Sequence, residues 1–133
     1  MDDQFLREIL SGSRTVAMVG LSAKPERDSY QVAAYLKEHG YRVIPVNPGV
    51  GEVLGERAYA SLADIPEPVD IVDIFRRPED APAVVAQALV LKPRAVWLQL
   101  GVGSREAAQV AGRAGIPVVM DRCLKMEHIR LGL

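Results

Sequence analysis

Five short apolar runs alternate along the chain with segments of helical spacing. The runs lie at 15–19, 41–46, 70–75, 95–100 and 117–120 and are rich in valine and isoleucine. They are continuous rather than alternating, the pattern of strands buried on both faces. Between them, 29–39 sets Val32, Ala33, Tyr35 and Leu36 on one helical face, with Gly40 placed as the stop. In 78–92, Pro78 stands near the first turn, Glu79 and Asp80 suit its positive end, and Val84, Val85, Ala88 and Leu89 make the apolar stripe. In 104–114, Ser104 is a credible N-cap before an alanine-rich helix that Gly115 terminates. Residues 3–10 and 124–131 read as flanking helices. The connection 48–69 holds Gly49, Gly51, Gly55, Pro66 and Pro68 and predicts a loop with one short helical turn near 61–64.

Strands alternating with helices predict an α/β fold: a Rossmann-like, doubly wound parallel sheet of five strands with helices on both faces. One domain spans residues 1–133. The expected strand order is 3-2-1-4-5, which puts the ligand crevice at the carboxyl ends of the first and fourth strands.

Composition narrows the ligand classes. At 133 residues, with 49% apolar and 25% charged side chains, the chain has the make-up of one soluble domain. Sixteen basic against 17 acidic residues leave a formal charge of −1, which offers no global attraction to nucleic acid or anionic lipid. No apolar run approaches the ~20 residues of a membrane helix, and the start, MDDQFLREIL, is acidic rather than signal-like. A single cysteine, Cys123, excludes an intrachain disulfide and points to a reducing cytoplasm.

The candidate chemistry begins at VGLSAKPERDS, residues 19–29, between the first strand and the first long helix. A dinucleotide site would carry G-x-G-x-x-G there, whereas only Gly20 is present. The position still suits an anion, because free amides and the helix dipole point toward it. Gly20 allows close approach, Ser22 offers a hydroxyl, Lys24 and Arg27 add charge, and Pro25 stiffens the loop. An ordinary strand-to-helix turn, capped by Ser22 or Ser29, fits the same residues equally well.

The second strand ends in IPVNP, residues 44–48. An NAD-binding protein usually places an acid there for the ribose hydroxyls; here stand Asn47 and Pro48. The nearby GVGEVLG, residues 49–55, has the wrong spacing and no strand leading into it. Basic residues follow the strands at Lys24, Arg27, Arg76, Arg77, Arg105 and Arg122. Guanidinium groups suit phosphates. Acidic neighbours could pair with some of them, and at least two surface ion pairs are expected. The WLQLGVGS segment, 97–104, supplies another glycine-containing turn, where Gln99 or the Gly101 backbone is placed to meet a ligand.

In combination, G-x-S-x-x-P at 20–25, GYRVIPVNP at 40–48, VDIVDIFRRP at 69–78, the strand at 97–101 and MDRCLK at 120–125 resemble the small single-domain CoA-binding proteins. These are similar to the CoA-binding domains of succinyl-CoA synthetase alpha subunits and ADP-forming acyl-CoA synthetases. The resemblance spans nearly the whole chain and implies coenzyme A, or an acyl-CoA, held through its ADP portion. It implies that Gly20, Ser22, Lys24 and Pro25 hold phosphates, and that Asn47 and Pro48 lie along the nucleotide. Phe75, Arg76, Arg77 and Pro78 would cover the adenine or 3′-phosphate side. Arg27 joins the set by position. One departure is Val50, after Pro48 and Gly49, where the synthetase subunits tend to carry a lysine. The histidine-bearing ligase domain and nucleotide-grasping partner of those synthetases are not encoded here.

No catalytic constellation emerges. His39 suits a helix end, His128 lacks an evident carboxylate partner, and Asp70 and Asp73 do not form an acid–base pair by proximity in sequence alone. One cysteine and two distant histidines make no zinc site. Cys123, between Arg122 and Lys125, is the one reactive candidate, with burial favoured over reaction. The residues therefore predict a non-catalytic CoA-binding module, with an NAD(P)- or nucleotide-dependent enzyme as the rival. A protein partner is possible; its identity is not legible.

Overall fold

Each predicted run becomes a strand in the computed structural model, which describes residues 2–133. Helix α1 (Asp3–Gly12) leads into β1 (Thr15–Val19), α2 (Asp28–Glu38) and β2 (Arg42–Val46). A two-stranded hairpin, β3 (Glu52–Val53) and β4 (Glu56–Arg57), and a 3-10 turn at Leu62–Asp64 precede β5 (Ile71–Ile74). A second 3-10 turn, Pro78–Asp80, opens α3 (Ala81–Leu89), followed by β6 (Ala95–Leu98) and α4 (Arg105–Arg113). Strand β7 (Val118–Met120) and α5 (Leu124–Arg130) complete the fold. The Ser104 side chain caps α4 by accepting the Ala107 amide at 3.1 Å, as its position predicts.

All pairs in the main sheet are parallel, and helices cover both faces. Leu6 and Leu10 of α1, Val32 and Leu36 of α2, and Leu124 of α5 pack on one face around Met18 and Trp97. Ala81, Val85 and Ala88 of α3, with Ala107 and Ala111 of α4, pack on the other around Val72 and Val96. The small residues on that second face let two helices approach the sheet closely.

The strand order corrects the expectation. It is β2-β1-β5-β6-β7, or 2-1-3-4-5 in order of the five main strands, rather than 3-2-1-4-5. The third main strand pairs with β1 and does not extend the sheet beyond β2. Two local features account for this. Tyr59 occupies the outer edge of β2, its amide donating to the Pro45 carbonyl at 2.9 Å and its carbonyl accepting the Asn47 amide at 2.9 Å. Asp70 then fixes the entry to β5 beside β1: its carboxylate accepts the amides of Arg14 and Thr15 at 2.8 and 3.0 Å. Pro45 carried a signal of this arrangement, since a proline within a strand cannot donate to a ladder and belongs at a sheet edge.

The connection 48–69 also contains more structure than a loop. Leu54 and Gly55, both at positive φ (52° and 79°), make the tight turn of the β3–β4 hairpin. GVGEVLG is therefore hairpin sequence, in keeping with its poor fit to a dinucleotide fingerprint.

Candidate functional site

The corrected order moves the switch point to the β1–β5 junction, the place where doubly wound sheets open a crevice. It also brings together two loops that the expected order separates. Gly20 leaves β1 at φ 87°, and its amide donates to the Val46 carbonyl at 2.8 Å. An added Cβ at Gly20 would lie 2.2 Å from the Phe75 carbonyl oxygen and 3.5 Å from Arg76 Nε. The loop after β1 and the Phe75–Arg76 turn after β5 are therefore in direct contact, and only glycine fits between them.

The first loop is braced from within. Ser22 Oγ accepts the Lys24 amide at 3.1 Å, while the Ser22 amide donates to Ser29 Oγ at 3.0 Å. The Pro25 carbonyl accepts Gln31 Nε2, which holds the turn against the start of α2. Ser29, rather than Ser22, is the buried hydroxyl here. Lys24 and Arg27 stay exposed, and Arg27 is the N-cap position of α2 without a side-chain cap bond. Around Gly20, Ser22, Lys24, Arg27 and Phe75 lies a recess of about 510 Å³. It shares Asp28 and Phe75 as walls with a larger cleft of about 800 Å³ between α2, α5 and the carboxyl edge of the sheet. The second volume is within the usual range of small-molecule sites.

The two arginines after β5 differ. Arg77 is 77% exposed and pairs with Asp80 at 3.3 Å and Glu79 at 3.5 Å. Arg76 is partly buried against the Gly20 loop and, among the described residues, makes no ion pair. Arg122 also pairs, with Glu127, whose other oxygen binds Arg130 at 2.6 Å. Burial pushes the Glu127 carboxyl upward, but hydrogen bonds from Arg130 and Arg122 outweigh it and hold its pKa below the ordinary value. Arg130 continues this network to Asp3 at 2.9 Å, tying α5 to α1.

Asn47 is bound into the fold. Its Nδ2 donates to the Leu21 carbonyl at 3.1 Å and its Oδ1 accepts the Gly49 amide at 3.0 Å. It joins the turn after β2 to the loop after β1, while Pro48 stays exposed at the same rim. The Gly101 amide is likewise committed, donating to Asp121 Oδ1 at 2.8 Å. Gln99 lies in the larger cleft beside Cys123 and Lys125. Cys123 is half-buried there, more open than the burial expected for it.

The remaining titratable groups lie away from the crevice or inside the sheet layer. His39 and His128 stand at the opposite, amino-terminal edge, with Arg14 and Tyr41 in one recess. His128 Nδ1 meets Tyr35 Oη at 2.6 Å, and burial followed by the charge of His39 lowers its pKa. Asp73, between Met18 and Trp97 in the strand register, is fully buried. Among the described residues neither of its oxygens has a hydrogen-bond partner. Burial raises its pKa well above the ordinary value, and the Ile74 amide offsets little because it does not reach hydrogen-bond geometry. Nothing in the sequence distinguished Asp73 from an ordinary strand residue; its burial follows from the pairing of β5 on both sides. Among the described residues no group of three or more metal-ligating side chains is clustered, and no helix is long and apolar enough to cross a membrane.

Comparison with known proteins supplies the family. Residues 14–129 match a family model described as a CoA binding domain. The uncharacterized protein YneT of Bacillus subtilis (strain 168) is 42% identical over 123 residues, covering 92% of this chain and 91% of that one. The ADP-forming acetate–CoA ligase II subunit alpha of Pyrococcus furiosus is 42% identical over 62 residues, which is 46% of this chain and 14% of the subunit. The solved structure of cell-free ID.343 from Thermus thermophilus has a TM-score of 0.94 at 49% identity, covering 98% of this chain and 99% of that one.

Proposed function

The chain belongs to the CoA-binding domain family, and on that premise we propose that it binds coenzyme A or an acyl-CoA through the ADP portion, as a binding module without catalysis of its own. The observation that carries this reading is the contact between Gly20 and the Phe75–Arg76 turn. It brings a guanidinium that has no ion pair among the described residues beside the loop that carries Lys24 and Arg27. CoA presents a pyrophosphate and a separate 3′-phosphate, so it can occupy two adjoining basic loops at once. Guanidinium and ammonium groups bind such oxygens by charge-assisted hydrogen bonds.

In this reading Gly20, Ser22, Lys24 and Arg27 face the pyrophosphate, and Pro25 keeps their loop rigid. Phe75, Arg76, Arg77 and Pro78 cover the adenosine 3′-phosphate side. Asn47 contributes by holding the loops together, with Pro48 along the rim. A neutral residue after β2 leaves no acid to recognise the ribose hydroxyls of NAD. We assign the protein to a reducing cytoplasm, in keeping with a single cysteine that has no intrachain disulfide partner. The ligases that share this domain carry it within longer chains, which supports a role in signalling bound CoA to a protein partner.

Calorimetric titration with CoA, acetyl-CoA, dephospho-CoA and NAD(H) tests the proposal. CoA and acetyl-CoA should bind, dephospho-CoA more weakly, and NAD(H) not at all. Tight binding of NAD(H) with no response to CoA would overturn it.

A further inference from the structure

The larger cleft has polar groups that recognition of a nucleotide leaves unused. Gln99 is only 4% exposed, yet it lines this cleft. Its Oε1 accepts the Leu124 amide at 3.1 Å. Because that amide can only donate, Oε1 is fixed toward it and the Nε2 donor is turned into the cleft. Among the described residues Nε2 has no hydrogen-bond partner. An amide donor on a side chain this deeply set, open only toward a cavity, points to a ligand acceptor such as an amide carbonyl.

Cys123 lies immediately beside this donor. Both peptide groups that flank it are clamped from β6 and the residue that follows it: Trp97 Nε1 donates to the Arg122 carbonyl at 2.7 Å, and Gln99 holds the Leu124 amide. The thiol-bearing residue is thus held at the cleft wall by the sheet itself. Val32, Phe75 and Met126 supply apolar surface around it, and Lys125 supplies a cation. This combination matches the free end of CoA, a chain with apolar carbons, two amides and a terminal sulfur. The cleft also joins the phosphate recess through Asp28 and Phe75.

We propose that Cys123 is a thiol–disulfide exchange site for the sulfur end of CoA. The proposal rests on the CoA-binding reading above and deepens it. The co-reactant is a CoA disulfide. The Cys123 thiol gives its proton to solvent, and the sulfur attacks one sulfur of the disulfide. A Cys123–CoA disulfide bond forms while the original sulfur–sulfur bond breaks. The second CoA leaves with that electron pair as a thiolate and takes up a proton. The disulfide count is unchanged, so no further oxidant is needed.

Mass spectrometry of the intact, non-reduced protein after incubation with CoA disulfide tests this. The expected product gains one CoA less two hydrogens, loses it on treatment with dithiothreitol, and is absent from Cys123→Ser. The wild-type protein should react at least about tenfold faster with CoA disulfide than with glutathione disulfide, because the bound nucleotide raises the local concentration of the sulfur. No adduct, or equal rates with the two disulfides, would overturn the proposal. Titration of the reduced wild-type protein with reduced CoA separates the two readings. Binding without selective exchange sinks the exchange site alone, whereas absence of both sinks the CoA reading as well.

Discussion

Gly20 and Phe75 touch across the β1–β5 junction so closely that a methyl group on Gly20 would sit 2.2 Å from the Phe75 carbonyl oxygen. Gly20 also has φ 87°, a conformation that L side chains adopt only with strain. Gly20→Ala should therefore lower stability by about 2–4 kcal/mol, from left-handed strain and a forced backbone shift together. It should weaken CoA binding as well. Gly51→Ala is the control: nothing lies within 4 Å of its added Cβ, so a change within about 0.5 kcal/mol is expected. Urea unfolding of both variants decides; equal stabilities would show that the close approach is relaxed in solution.

The two neighbouring arginines should separate by single substitution. Arg76 has no ion-pair partner among the described residues, whereas Arg77 is paired with Asp80 and Glu79. Arg76→Ala should reduce CoA affinity by about 10- to 100-fold, the loss of one or two charge-assisted hydrogen bonds. Arg77→Ala should cost less than about threefold, as exposed paired charges contribute little. Calorimetry with CoA and dephospho-CoA measures both. If Arg76 meets the 3′-phosphate, its loss affects CoA more than dephospho-CoA.

Asp73 is expected to set a pH dependence from inside the sheet layer. Its folded pKa is raised well above 3.8, so between that value and the folded pKa the native state retains a proton that the unfolded state releases. Its contribution is therefore full in acid and declines as pH rises through this window. Asp73→Asn cannot ionise. The stability of the wild type relative to this variant should fall as pH rises above 3.8 toward the raised folded pKa. Parallel urea melts across that range would show a constant difference if the carboxyl were instead ionised and solvated.

His128 works in the opposite sense. Burial, and then the charge of His39, lower its folded pKa below 6.5. Its contribution is full above 6.5 and is lost as pH falls through that value toward the lower folded one. His128→Gln should flatten the stability profile between about pH 7 and about pH 5, whatever its effect at neutral pH. An unchanged profile would place the imidazole in solvent.

The local elements were legible because periodicity and stop signals act over a few residues. The valine-rich runs became the five parallel strands, Ser104 capped its helix, and the turn near 61–64 appeared as a 3-10 helix at Leu62–Asp64. The position of the first loop was legible too, since Gly20 and Ser22 stand between a strand and a helix. What the chain order obscured was which loops face one another. Five runs of apolar residues specify strands without specifying neighbours, apart from Pro45, whose missing amide marks an edge.

Neighbours are chosen by hydrogen bonds formed between distant segments. Tyr59 takes the outer edge of β2, and Asp70 binds the amides entering β1, so β5 pairs beside β1. From that pairing follow the contact of Gly20 with Phe75 and the position of Arg76 against the loop after β1. Side-chain competition decided the rest: Arg77 and Arg122 found carboxylates, Asn47 joined two turns, and Cys123 was held at the open cleft. The sequence by itself determined the elements and the residue types of the loop after β1, both properties of short stretches. Tertiary structure determined strand order and which charges stay unpaired, because both depend on donors and acceptors from distant parts of the chain.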